Sequence, residues 1–102
     1  MNTFHFTAEL WLYPGELASW HFISLPVDLS SKIKVSSGPR RGWGSVRVLA
    51  TVGKARWETS IFPDKKSGTY LLPVRADVRK AENLSAGMDV KVELQLTGNF
   101  LV

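Results

Sequence analysis

The chain has 102 residues, 44% hydrophobic and 22% charged, with 13 Lys and Arg against 9 Asp and Glu for a formal net charge of +4. That length and balance fit a single domain over residues 1–102 that buries its own core. The absence of cysteine excludes disulfides, thiolate catalysis and cysteine-ligated zinc, and no apolar run approaches the roughly 18 residues of a membrane-spanning helix.

The start of the chain shows no basic segment followed by an apolar one, so the expectation is a cytoplasmic protein with no membrane association. Residues 4–13 alternate: Phe4, Phe6, Ala8, Leu10 and Leu12 on one side, His5, Thr7, Glu9, Trp11 and Tyr13 on the other. Period two over that length predicts a half-buried strand, ended by a turn at Pro14-Gly15. Residues 19–25 are dense in aromatic and branched side chains and predict a second strand, closed by Pro26. Asp28 or Ser30 is placed to cap a short helix carrying Leu29 and Ile33. Three glycines and a proline make residues 36–44 a loop.

Residues 45–62 predict a hairpin about a two-residue Gly53-Lys54 turn. That turn pairs Val52 with Ala55, Ala50 with Trp57, Val48 with Thr59 and Val46 with Ile61, all on one face, and so assigns Trp57 to the core. Pro63–Gly68 reads as a surface turn and residues 69–74 as a strand ended by Pro73. Val74, Val78 and Ala81 predict a second short helix over 75–82, with Asn83 and Gly87 as stop signals. Residues 88–96 are the last strand, and the apolar Phe100-Leu-Val end is expected to tuck against the fold.

One motif occurs twice: Leu-Pro-Val-Asp-Leu-Ser-Ser-Lys at 25–32 and Leu-Pro-Val-Arg-Ala-Asp-Val-Arg at 72–79. Each copy follows an apolar, aromatic run and precedes a glycine and an alternating strand. The reading is therefore mainly β: a small closed or double-split β-barrel of about six strands with two short helices and pseudo-duplicated halves, which protects its strand edges.

The segments Trp20-His-Phe-Ile-Ser-Leu-Pro, Val46-Arg-Val, Trp57-Glu-Thr-Ser-Ile, Tyr70-Leu-Leu-Pro-Val, Val78-Arg-Lys-Ala and Ala86-Gly-Met-Asp-Val-Lys-Val resemble, in order, the bacterial domain-of-unknown-function 1905 family. The resemblance implies a double-split barrel and no particular activity. Residues 72–92 are also similar to the half-barrel of AbrB-like swapped-hairpin transcription factors and antitoxins, which implies nucleic-acid binding through basic residues. The first half departs from that pattern, with Asp28 where the second has Arg75, and Ser30-Ser31 where it has Asp77-Val78.

Chemistry is sparse. His5 and His21 lie in separate predicted strands without metal-ligand spacing, so no metal or cofactor is expected. Ser60, His21 and a carboxylate can be grouped on paper, but no nucleophile elbow surrounds Ser60, and the expectation is a non-enzyme, with an uncharacterised enzyme as the third reading. The Gly38–Gly44 loop lacks the lysine and the following helix of a phosphate loop.

The distinctive electrostatic feature is the acid-free stretch between Asp28 and Glu58, which holds Lys32, Lys34, Arg40, Arg41, Arg47, Lys54 and Arg56. Arg40, Arg41, Trp43, Arg47 and Arg56 interleave cations with an aromatic ring and are the candidate contacts for an anionic small molecule. The alternative partner is a nucleic acid, where the same side chains meet phosphates and stack a base. Trp11, on the less apolar side of its strand, would line a groove or meet a protein partner or a second copy.

Overall fold

Alternating strands dominate the computed structural model, which describes residues 3–15, 19–36 and 44–97. Among these the order is β1 (Thr3–Leu12), β2 (His21–Ser24), α1 (Val27–Ser36), β3 (Val46–Val52), β4 (Ala55–Asp64), β5 (Thr69–Pro73), α2 (Ala76–Ala81) and β6 (Asp89–Leu96). The strands close an antiparallel barrel in the order β1-β2-β5-β4-β3-β6. Closure pairs each strand on both sides and leaves no open edge.

The barrel carries the duplication seen in the sequence. Exchanging β1-β2-β3 for β4-β5-β6 leaves every neighbouring pair of strands unchanged. The two seams are antiparallel pairings of equivalent strands, β2 with β5 and β3 with β6. Register obeys the same exchange. Ile23 faces Leu72 across β2 and β5, and the image of that pair is Tyr70 with Leu25, where the Leu25 N–H donates to the Tyr70 carbonyl at 3.0 Å.

Inward positions fill the core: Leu10, Ile23, Val48, Ala50, Ile61, Tyr70, Leu72 and Leu94 are all fully buried. Each aliphatic side chain so buried contributes about 1.5–3 kcal/mol. Leu25, Ile33 of α1 and Val78 of α2 join the same cluster, so both helices are held by apolar contact with the barrel. The β3–β4 hairpin has the register that the Gly53-Lys54 turn implies, from Val52 with Ala55 to Val46 with Ile61. Gly53 takes a φ of 58°, and a side chain there would meet the Glu82 carboxylate, which also accepts the Lys54 N–H at 3.2 Å. Trp57 is buried, as its parity required.

Several boundaries differ from expectation. β4 runs on through Pro63 and Asp64, so the surface turn is confined to residues 65–68. Asp64 supports that turn by accepting the Ser67 hydroxyl at 2.7 Å, and its carbonyl accepts the Gly68 N–H at 2.9 Å. α1 begins at Val27, directly after Pro26, rather than after a cap at Asp28 or Ser30. Ser30 is instead buried inside the helix, where its hydroxyl accepts the Tyr70 N–H at 3.0 Å. β2 begins at His21 because Ser19 has a φ of 94°, outside the strand region. Asn83 and Gly87 have the positive φ values of stop positions, 55° and 97°. The expectations for most of the 36–44 loop and for Phe100-Leu-Val fall outside the described residues.

Candidate functional site

Arg40, Arg41 and Trp43 also lie outside the described residues. Arg47 and Arg56 are exposed on the outward face of the β3–β4 hairpin. Arg47 donates to the Ser60 hydroxyl at 3.2 Å and pairs with Glu58 at 3.6 Å. Glu58 stands between Arg56 and Ser60 on the same face of β4, so a counter-charge from the neighbouring strand enters the acid-free stretch. His21 and Ser60 are not brought together: β5 separates their strands, and each side chain is engaged elsewhere. Among the described residues no three His, Cys, Asp or Glu side chains gather as metal ligands.

A different region concentrates chemistry. Strand alternation turns Ile23 inward and Phe22 outward, yet Phe22 is only 6% exposed. Three rings cover it: Trp11 at a centroid distance of 5.4 Å, and Tyr13 and Trp20 each at 5.9 Å. The result is a small second apolar cluster on the outside of the barrel, separate from the main core. Its upper rings remain open, with Trp20 55% and Tyr13 44% exposed. The cluster is pinned by polar contacts. The Trp11 indole N–H donates to the Ser24 hydroxyl at 3.0 Å, and the Tyr13 N–H donates to the Trp20 carbonyl at 2.8 Å.

Beside Trp20 the surface sinks into a groove of about 300 Å³, lined by Ser19, Trp20, His21, Val74, Arg75 and Arg79. It exists because β2 and β5 are paired: the His21 carbonyl accepts the Val74 N–H at 3.0 Å, which sets the start of α2 against the start of β2. The Ser19 carbonyl is a hub. It accepts His21 Nδ1–H at 2.9 Å and an Arg79 Nη2–H at 3.2 Å. A carbonyl only accepts, so the proton is on Nδ1, and in the neutral ring Nε2 is an acceptor. The Arg79 Nε–H also donates to the Val74 carbonyl at 3.2 Å. Arg79 is thus oriented by neutral oxygens, and its charge is not offset by those contacts.

Arg75 is held differently. Its guanidinium grips Asp77 through two bonds, Nε to Oδ1 at 3.1 Å and Nη2 to Oδ2 at 2.7 Å. That hydrogen bonding outweighs an opposing effect of desolvation and, with the guanidinium charge and the Val78 N–H, keeps the Asp77 carboxyl below its usual range. The groove therefore offers one oriented cation, one ion-paired cation, an exposed indole face and an imidazole nitrogen. That set suits a planar anion.

Sequence reasoning placed Trp20 and His21 in one strand and Arg75 and Arg79 on one helix, and did not join the two. The available signal was the internal repeat, because these are positions where the halves differ: Ser67 stands at the equivalent of Trp20, Gly68 of His21, Asp28 of Arg75 and Lys32 of Arg79.

A comparison with curated proteins finds no match. The family model described as Domain of unknown function (DUF1905) matches residues 6–94, almost the whole barrel, and the chain belongs to that family.

Proposed function

We propose that this protein is a small binding or regulatory module for an anionic ligand with a planar body, held in the groove between the start of β2 and α2. The observation that supports this most is the meeting of an exposed Trp20 ring with Arg79, a cation oriented by two backbone carbonyls. A ring stacks on the indole, the anionic group faces the guanidinium of Arg79, and His21 Nε2 accepts from a donor at the ligand's edge. Ser19 holds a backbone conformation that costs a non-glycine residue roughly 1 kcal/mol or more, and it supplies the carbonyl that orients both His21 and Arg79.

Adenosine 5′-monophosphate and inorganic phosphate are suitable probes, followed by tryptophan fluorescence at low and physiological salt. The expected result is saturable quenching by the nucleotide, weakened by salt, lost in Trp20→Phe and reduced about tenfold in affinity in Arg79→Ala. Unchanged affinity in both variants would remove the groove as the site.

A further inference from the structure

The groove is not isolated. Trp20 forms its wall and also belongs to the outer aromatic cluster with Tyr13, Trp11 and Phe22. Along the same outward side of the barrel, Ser24 pairs with Leu71 on β5, and Leu71 pairs with Phe62 on β4, which is 46% exposed. Cations thus stand at one end, in Arg75 and Arg79, beside the exposed Trp20 and Tyr13 rings and the half-buried Trp11 ring.

Resting on the anion-binding reading of the groove, we propose that this surface binds single-stranded nucleic acid, with a phosphate at Arg79 and successive bases on Trp20, Tyr13 and Trp11. Three features favour this occupant. The Trp11 ring is tied to Ser24 through its indole N–H, and a backbone hydrogen bond joins Tyr13 to Trp20, so the platform is partly ordered before a base stacks. The cations adjoin the rings, and the chain as a whole is positive, at +4. Flat ring faces beside a cationic groove accept any base, because every base has a π-face. Stacked bases inside a duplex are not available to such rings, so the strand must be single. Stacking and phosphate contact are common to both strands, so DNA and RNA are expected to bind alike.

The test is a length series: thymidine 5′-monophosphate, then oligothymidylates of two, four and eight nucleotides, an oligouridylate of eight, and a duplex. Affinity is measured at low and physiological salt for the intact chain, Tyr13→Ala and Arg79→Ala, with thermal melts to confirm folding. The expected result is a gain of about tenfold for each added stacked base, complete once three bases are stacked, and a falling affinity with salt. Tyr13→Ala lowers the gain with length and leaves mononucleotide affinity unchanged. Should Tyr13→Ala unfold, Tyr13→Phe is expected to retain the gain and Tyr13→Leu, which keeps apolar packing but has no π-face, to lose it. Affinity that stays flat with length overturns this inference and leaves the groove reading standing. Absence of binding by the mononucleotide and the oligomers alike overturns both. Duplex binding as tight as single-strand binding overturns the stacking surface. So does a dimer of this chain that Tyr13→Ala converts to monomer.

Discussion

The duplication places a second cleft opposite the first, and the two are built unequally. The cleft between β2 and α2 holds Trp20, His21, Arg75 and Arg79. Its counterpart between β5 and α1 is lined by Ser31, Lys34, Lys65 and Gly68. Both are basic, but only the first has an aromatic wall and guanidinium groups. At the equivalent of Trp20 stands Ser67, whose hydroxyl is committed to Asp64 and Thr69 at 2.7 Å each. The helices differ as well. α1 has 10 residues and sends Ser30 inward to accept the Tyr70 N–H, whereas α2 has 6 and leaves the groove beside it. The lesson is that the barrel constrains the positions the halves share, and the positions where they diverge carry the distinctive chemistry.

The shared positions should show the largest effects. Leu25 and Leu72 are equivalent residues at 1% and 0% exposure, so Leu25→Ala and Leu72→Ala should each destabilise by about 2–5 kcal/mol in urea unfolding. A large inequality between them would break the symmetry of the core.

Ser30→Ala comes next. It strips the acceptor from the buried Tyr70 N–H and should cost about 1–3 kcal/mol by the same assay. At the aligned position of the other half Asp77 is exposed, and Asp77→Ala should leave neutral-pH stability nearly unchanged.

Ligand binding should separate the clefts. Arg79→Ala should weaken adenosine 5′-monophosphate about tenfold, while Lys34→Ala and Lys65→Ala should leave it unchanged in calorimetry.

The smallest effect concerns pH. The folded Asp77 carboxyl lies below its ordinary range because Arg75 is bound to it. Its contribution to stability is present above the unfolded carboxylate range and fades as pH falls through the folded value. The same protonation releases Arg75, so the affinity of an anion that keeps its charge across this range, such as a sulfonate, should rise on the acid side by a few fold. Asp77→Asn should show that higher affinity already at neutral pH and lose this part of the pH dependence, as followed by calorimetry across pH.

Much of the fold was legible. The hairpin register followed from Gly53-Lys54 because a two-residue turn fixes every pair beyond it. The halves followed from the repeated Leu-Pro-Val, since Leu25 and Leu72 both enter the core. The site was less legible for a physical reason. Trp20 and Arg79 meet only through the β2–β5 pairing, a long-range contact that no local pattern encodes. Phe22 shows that residue type and burial can agree while the face differs. Its residue type suggests core, yet its parity opposes Ile23, and its burial comes from rings on β1 and on the segments flanking the strands. The Arg47–Glu58 contact is of the opposite kind, because the hairpin register already puts both side chains on one face.

The most direct test of the unequal clefts is a ¹H–¹⁵N NMR titration of the intact chain with adenosine 5′-monophosphate at low salt. The expected result is saturable shifts at the amides of Ser19, Trp20, His21, Arg75 and Arg79, and at the Trp20 indole, with Ser31, Lys34, Lys65 and Gly68 unmoved. Shifts centred on the second cleft, or equal shifts in both, would contradict the claim that the divergence of the halves built the site.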